Sequence, residues 1–129
     1  REVTEVAVGV LIDKEGRFLM ASRPQGKPYA GWWEFPGGKQ EAGEAVTEAL
    51  SREYAEELGV KVKKATPWFV FEREYPHAYV RLHFCRIVDW EGQPQPREGQ
   101  TFQWFETLKQ AQTETATYVF ACDRASDVV

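Results

Sequence analysis

The stretch from Gly38 to Val60, GKQEAGEAVTEALSREYAEELGV, limits what this chain can fold into more than any other part of it. It reads as a helix that starts near Glu44 and stops at Gly59, a residue suited to the left-handed position that closes helices. At about 100° per residue, Val46, Ala49, Leu50, Tyr54 and Leu58 form one apolar stripe that must pack on a core. Glu53 and Glu57 fall on that same stripe, and Glu56 sits on its edge. A solvated glutamate-rich helix would carry these carboxylates on the opposite face. Unpaired buried charge is expensive and like charges one turn apart repel, so something positive has to compensate. The simplest candidate is a divalent cation. Mg²⁺ is held by a few carboxylates together with substrate phosphates.

The order Gly38, five residues, Glu44, seven residues, Arg52-Glu53, then Glu56-Glu57-x-Gly59-Val60 matches the Nudix box. In this respect the chain resembles the Nudix hydrolases, which cleave a nucleoside diphosphate linked to another moiety. One fixed position departs: Tyr54 stands where the family usually has Leu, Ile or Val, a change expected to alter packing more than chemistry. The resemblance implies an α/β fold, the Nudix α/β/α sandwich, with a mixed β-sheet carrying the box helix on one side and a C-terminal helix on the other. It also implies Mg²⁺ as cofactor, with Mn²⁺ as an alternative. Glu53, Glu56 and Glu57 would be its ligands together with the carbonyl of Gly37 or Gly38. Arg52, one turn before Glu56, would orient that carboxylate. Glu44 near the helix start would favour the helix dipole and help hold the box loop.

At 129 residues the chain is expected to be a single domain, large enough to bury a core without disulfides or structural metal. A net charge of −4 argues against a nucleic-acid polymer as partner, which would call for a basic surface. The expected partner is a small-molecule nucleotide, bound by a monomer or homodimer. Cys85 and Cys122 form no CxxC pair, which suits a reduced compartment. No apolar run approaches a membrane span and the N-terminus shows no signal-peptide pattern, so the expected location is the cytoplasm.

Along the chain, Val3 to Ile12 alternates with period two and reads as a strand, and Gly9 within it marks a close backbone approach or a bulge. Asp13 to Gly16 is a turn, and Arg17 to Arg23 returns as a strand, giving a hairpin. Arg23 is either a solvated loop residue or, as the resemblance to MutT-like members implies, a neighbour of the nucleotide. In GWWEFPGGK, Pro36 stops the strand, and the paired glycines allow positive φ and a close approach to a ligand. Trp32 and Trp33 read as packing residues, and Phe35 joins Arg23 and Lys39 on the substrate side. Lys39 could reach phosphate oxygens or tie the loop to Glu41 or Glu44, and the structural tie is favoured.

Beyond the helix, Lys61 to Lys64 reads as a short basic exit. A strand follows around Trp68 to Tyr75, and a turn at Pro76 to Ala78. The return strand Tyr79 to Asp89 has Val80, Leu82 and Phe84 on one face and Tyr79, Arg81, His83 and Cys85 on the other. His77 and His83 lack zinc spacing. Trp90 to Gln100 is loop and Thr101 to Glu106 a final strand. Glu98 in that loop is either solvated or, by the resemblance, a metal-side residue. Thr107 to Ala111 opens a second helix. The tail lacks the family's base-reading segment, and neither Glu114 nor Asp123 replaces it, so the resemblance covers Val3 to Phe105.

The implied reaction is Mg²⁺-dependent hydrolysis of a nucleoside triphosphate to the monophosphate and pyrophosphate. An oxidised guanine nucleotide such as 8-oxo-dGTP is the leading substrate, and another (d)NTP such as dCTP, a dinucleoside polyphosphate or ADP-ribose are alternatives. For the general base the order of preference is Glu53, Glu98, Glu44. A rival reading is a non-catalytic Nudix-like module that binds nucleotide without turnover. Such modules tend to lose box glutamates, and all three are present here.

Overall fold

Strand β1 (Val3–Leu11) is buried on both faces from Val6 onward, and its alternation sends side chains into two different cores. Val6, Val8 and Val10 face one cluster with Met20, Trp33, Phe35 and Phe105; Ala7 and Leu11 face another with Leu50, Tyr54 and Leu58. A strand covered on both sides belongs in the middle of a layered structure. The computed structural model describes residues 2–23, 25–26, 30–31, 33–76, 78–106 and 119–120, and β1 lies at the centre of what it shows.

The remaining elements are β2 (Phe18–Ser22), β3 (Trp33–Glu34), β4 (Gly37–Lys39), α1 (Val46–Leu58), β5 (Lys61–Tyr75), β6 (Ala78–Glu91), β7 (Thr101–Phe105) and β8 (Val119–Phe120). They make two four-stranded sheets, one in the order β4-β1-β6-β5 and the other β7-β2-β3-β8. In the first, β1 runs parallel to β6 and antiparallel to β4, so that sheet is mixed as expected. The expected β1–β2 hairpin is corrected. Only an isolated bridge, Ile12 to Phe18, joins these segments, and the chain changes sheets at the turn. Asp13 makes that turn by accepting the N–H groups of Glu15 and Arg17 on one carboxyl oxygen. The expected basic exit at Lys61 is also corrected, because those lysines already pair with β6 as the first residues of β5.

Helix α1 lies on the first sheet through Ala49, Leu50, Tyr54 and Leu58, all fully buried. Each buried leucine contributes about 1.5–3 kcal/mol. The start is set by Ala45, whose N–H donates to the Glu48 carboxylate at 2.8 Å. Gly59 ends the helix at φ 70°, as the sequence foretold. The other face of the sheet is covered by the second sheet, through Met20, Trp33, Phe35 and Phe105. The expected C-terminal helix falls on residues 107–118 and 121–129, outside the described residues, as do Trp32, His77, Glu114, Cys122 and Asp123. Among the described residues no helix is long and apolar enough to cross a membrane.

Candidate active site

Two glycines let the helix and sheet come together where the carboxylates are. Gly37 and Gly38 form β4, opposite Val8 and Ala7 of β1. Neither takes a positive φ, so the expected use of the pair for a left-handed turn is corrected. What they supply is room. A Cβ on Gly37 would collide with the Ala7 carbonyl oxygen. One on Gly38 would lie 2.6 and 2.7 Å from the two carboxyl oxygens of Glu53. The Glu53 carboxylate thus occupies the space that the missing side chain leaves. It is 4% exposed, and so is Glu57 one turn later, while Ala55 between them is exposed. The charges sit on the packed face, as their phase requires.

Arg52 gathers the site. Its Nε and Nη2 donate to the two oxygens of Glu44 at 2.8 and 2.9 Å, and Nη1 donates to Glu53 Oε1 at 2.7 Å. Nη2 also reaches the Lys39 carbonyl at 3.1 Å. One planar guanidinium therefore links the helix, the segment before it and the end of β4. The expected ion pair of Arg52 with Glu56 is present but long, at 3.7 Å to a largely exposed carboxylate, and the closer contacts go to Glu44 and Glu53. The hydrogen bonds from Arg52, helped by the Glu41 N–H, pull the Glu44 carboxyl down to about 2. The same carboxylates push the Arg52 guanidinium up, so both partners stay charged across the useful pH range.

Lys39 differs from expectation. Its ammonium makes no ion pair with Glu41 or Glu44 among the described residues, because Arg52 takes both carboxylates. The side chain is exposed at the edge of the site. Arg23 is fully buried, with Nη1 3.2 Å from Glu34 Oε2. The reading of Arg23 as a solvated loop residue is corrected: its guanidinium is enclosed and paired with Glu34. Phe35 is buried between Phe18 and Phe84, their ring centroids at 5.8 and 6.2 Å, and so belongs to the core between the sheets.

Glu98 is exposed on the β6–β7 loop, and that loop is fastened to the C-terminal end of α1. The Gln95 N–H donates to the Leu58 carbonyl at 2.9 Å, and Arg97 Nη1 to the Ala55 carbonyl at 3.2 Å. Arg97 was not foreseen. It lies 42 residues from the carbonyl it caps, a separation no local pattern reveals. Glu48 could have been found, standing three residues after the residue that precedes the helix.

Among the described residues no three acidic, His or Cys groups converge as a ready-made metal site. Arg52 draws Glu44 and Glu53 to itself, and Glu56, largely exposed, lies at the outer side of the same guanidinium. The donors offered by Glu53, Glu56, Glu57 and the β4 carbonyls are all oxygens, the set that a hard divalent cation takes. The cradle over Gly38 holds one carboxylate with no room for a side chain beneath it. These residues fit such a cation chemically.

A family model described as the NUDIX domain matches residues 3–121. The chain is 36% identical to an 8-oxo-dGTP diphosphatase of Haemophilus influenzae, over 82% of this chain and 78% of the relative. It is equally 36% identical to a CTP pyrophosphohydrolase of Escherichia coli, over 75% of this chain and 72% of the relative. Among solved structures, the E. coli ORF135 protein superposes with a TM-score of 0.77 at 30% identity, covering 98% of this chain and 86% of that one. MutT from Aliivibrio salmonicida and Vibrio cholerae gives 0.69 at 32% identity, covering 80% and 79%.

Proposed function

This chain belongs to the Nudix family, and from that premise we propose that it is a MutT-like, Mg²⁺-dependent pyrophosphohydrolase, a single domain cleaving a nucleoside triphosphate to the monophosphate and pyrophosphate in the cytoplasm. The observation that carries this reading is the Arg52 clamp: it holds Glu53 on the packed face of α1, against Gly38, and ties both to Glu44. When bound, Mg²⁺ neutralises phosphate oxygens and readies a water for in-line attack. Glu53, Glu56 and Glu57 would hold it with a carbonyl of Gly37 or Gly38. Mn²⁺ would serve as a substitute.

The chain's own residues divide the remaining work. Glu44, its carboxyl held low by the Arg52 hydrogen bonds, is a weak proton acceptor, which supports a role as anchor rather than as base. Glu53, buried and oriented by Arg52 through Oε1, takes the proton from water, or Glu98 does so from its loop. Lys39, exposed at the end of β4, would contact phosphate oxygens. Arg23 and Phe35 are buried, so their part would be to support the substrate side from within the core, Arg23 by fixing Glu34.

The leading substrate is an oxidised guanine nucleotide such as 8-oxo-dGTP, the activity for which several relatives are named. A pyrimidine triphosphate is the second reading, favoured by the CTP pyrophosphohydrolase at the same identity. Pyrophosphate release from a panel of nucleotides with Mg²⁺ separates the two. Glu53→Gln and Glu57→Gln should each abolish turnover in a folded protein. Full turnover by a folded Glu57→Gln protein would remove Glu57 from the metal set, and release of nothing from any nucleotide would favour a binding module.

A further inference from the structure

Tyr54 carries a hydroxyl that a packing residue does not need. Its ring is fully buried against β1, where Gly9 leaves the space: a Cβ there would sit 2.7 and 2.8 Å from Tyr54 Cζ and Cε1. The ring carries Oη to two backbone carbonyls, 2.8 Å from Gly9 O and 3.2 Å from Pro36 O. Pro36 O also accepts the Gly9 N–H at 3.0 Å. A strand carbonyl beside a glycine and a carbonyl in front of the Gly37–Gly38 segment thus share one donor on α1. Tyr54 follows Glu53 directly, and Glu53 lies over Gly38.

We propose that Tyr54 is a positioning residue that sets the spacing between the box helix and the Gly37–Gly38 segment, and through it the affinity for the divalent cation. The inference rests on the metal-dependent reading above. Its physical basis is that a buried hydroxyl shared between two carbonyls fixes the helix along and across the strand, whereas an aliphatic side chain fixes only depth. The carboxyl groups of Glu53 and Glu57 ride on that helix, and any backbone oxygen offered to the cation comes from the segment after Pro36. A slide of the helix would move one set of oxygens relative to the other, and ligand geometry for a small hard cation tolerates little of this.

The test uses the whole chain and two probes, Mn²⁺ binding without nucleotide, followed by calorimetry, and turnover as a function of Mg²⁺. Tyr54→Phe keeps the ring and removes only Oη. The expected result is an Mn²⁺ dissociation constant raised about tenfold, with turnover recovered when Mg²⁺ is in excess. An unchanged dissociation constant alongside a lowered melting temperature would make the hydroxyl purely structural and overturn the proposal. If Tyr54→Phe does not fold, the Gly9→Ala/Tyr54→Leu protein, which fills the space without a hydroxyl, should show the same weakened binding; wild-type affinity in it would also overturn the proposal. Absence of Mn²⁺ binding by the unaltered protein would instead sink the metal-dependent reading itself, so the two failures are distinguishable.

Discussion

The guanidinium of Arg52 grips the Glu44 carboxylate on both oxygens, Nε at 2.8 Å from one and Nη2 at 2.9 Å from the other. Two parallel charge-assisted hydrogen bonds fix orientation as well as distance, and a lysine cannot reproduce them. Because Nη1 of the same group holds Glu53, loosening the Glu44 side loosens Glu53. Arg52→Lys should therefore lower kcat/KM by about 10–100-fold while the melting temperature moves little. Steady-state kinetics beside a thermal melt checks this, and a large drop in melting temperature with preserved kcat/KM would make the clamp a structural tie only.

The same pair gives a pH dependence of stability. Glu44 titrates near 4.5 in the ordinary case and at about 2 here, chiefly because of its hydrogen bonds with Arg52. A depressed folded-state value means that the unfolded chain binds the proton more readily. The stabilisation is then complete above about pH 4.5 and is lost as pH falls toward 2. Glu44→Gln should narrow its melting-temperature gap from the unaltered protein across that window, with the gap largest above it. Melts between pH 2 and 6 check this; a gap constant with pH would show that ionisation of Glu44 is not what stabilises.

Gly37 and Gly38 should fail in different ways when each is given one methyl group. At Gly37 the new Cβ meets the Ala7 carbonyl oxygen, a backbone atom inside a paired strand that cannot move alone. Gly37→Ala should lower stability by about 1–3 kcal/mol. At Gly38 the Cβ meets the end of the Glu53 side chain, which can swing aside. Gly38→Ala should fold and lose activity by about a hundredfold, since a displacement of about 1 Å at a reacting group costs that much. Comparing melting temperature with kcat in the two proteins checks the contrast, and equal loss of stability in both would refute it.

Helix α1 and the phase of its carboxylates were readable from sequence because both rest on local spacing: apolar residues recur at 3.6, Gly59 ends the run, and Glu53 and Glu57 share the stripe. The two sheets were not readable in the same way. The Asp13 turn looks like a hairpin, yet whether β2 continues beside β1 or crosses to another sheet depends on Met20 and Phe105 meeting Val6 and Val8, contacts distant in sequence. The partners of Arg52 were readable only in part for a related reason. Spacing along the helix favours Glu56, but the path of residues 39–44 brings Glu44 into a better fork. Gly9 was foreseen as a place of close approach, though what approaches, the Tyr54 ring, appears only when helix and sheet are packed.

Gly9 and Tyr54 should behave as one unit toward stability. Gly9→Ala alone forces a methyl group into the buried Tyr54 ring and should cost about 1–3 kcal/mol. Tyr54→Leu alone opens a cavity and leaves the Gly9 and Pro36 carbonyls without the phenol. Combined, the new methyl occupies part of the vacated space, so the double variant should be more stable than the sum of the single changes by about 1 kcal/mol or more. Denaturant unfolding of the three proteins measures the coupling, and strict additivity would mean that the ring moves aside easily.

Arg97 and Glu98 offer a last separation between anchoring and chemistry. Arg97 reaches the Ala55 carbonyl from the β6–β7 loop and lies against Gly59, so it fastens Glu98 near the end of the helix that bears Glu56 and Glu57. If Glu98 serves the reaction, its position depends on that fastening. Glu98→Gln should then lower kcat by about a hundredfold. Arg97→Ala should lower kcat in the same direction through displacement of Glu98, and the double variant should be no worse than Glu98→Gln alone, because the tether has nothing left to position. The stability change from Arg97→Ala should stay within about 1 kcal/mol, as suits an exposed arginine at a helix end. Multiplicative losses in the double variant would mean that Arg97 acts on the site by a route independent of Glu98, and unchanged kcat in Glu98→Gln would leave Glu53 as the proton acceptor.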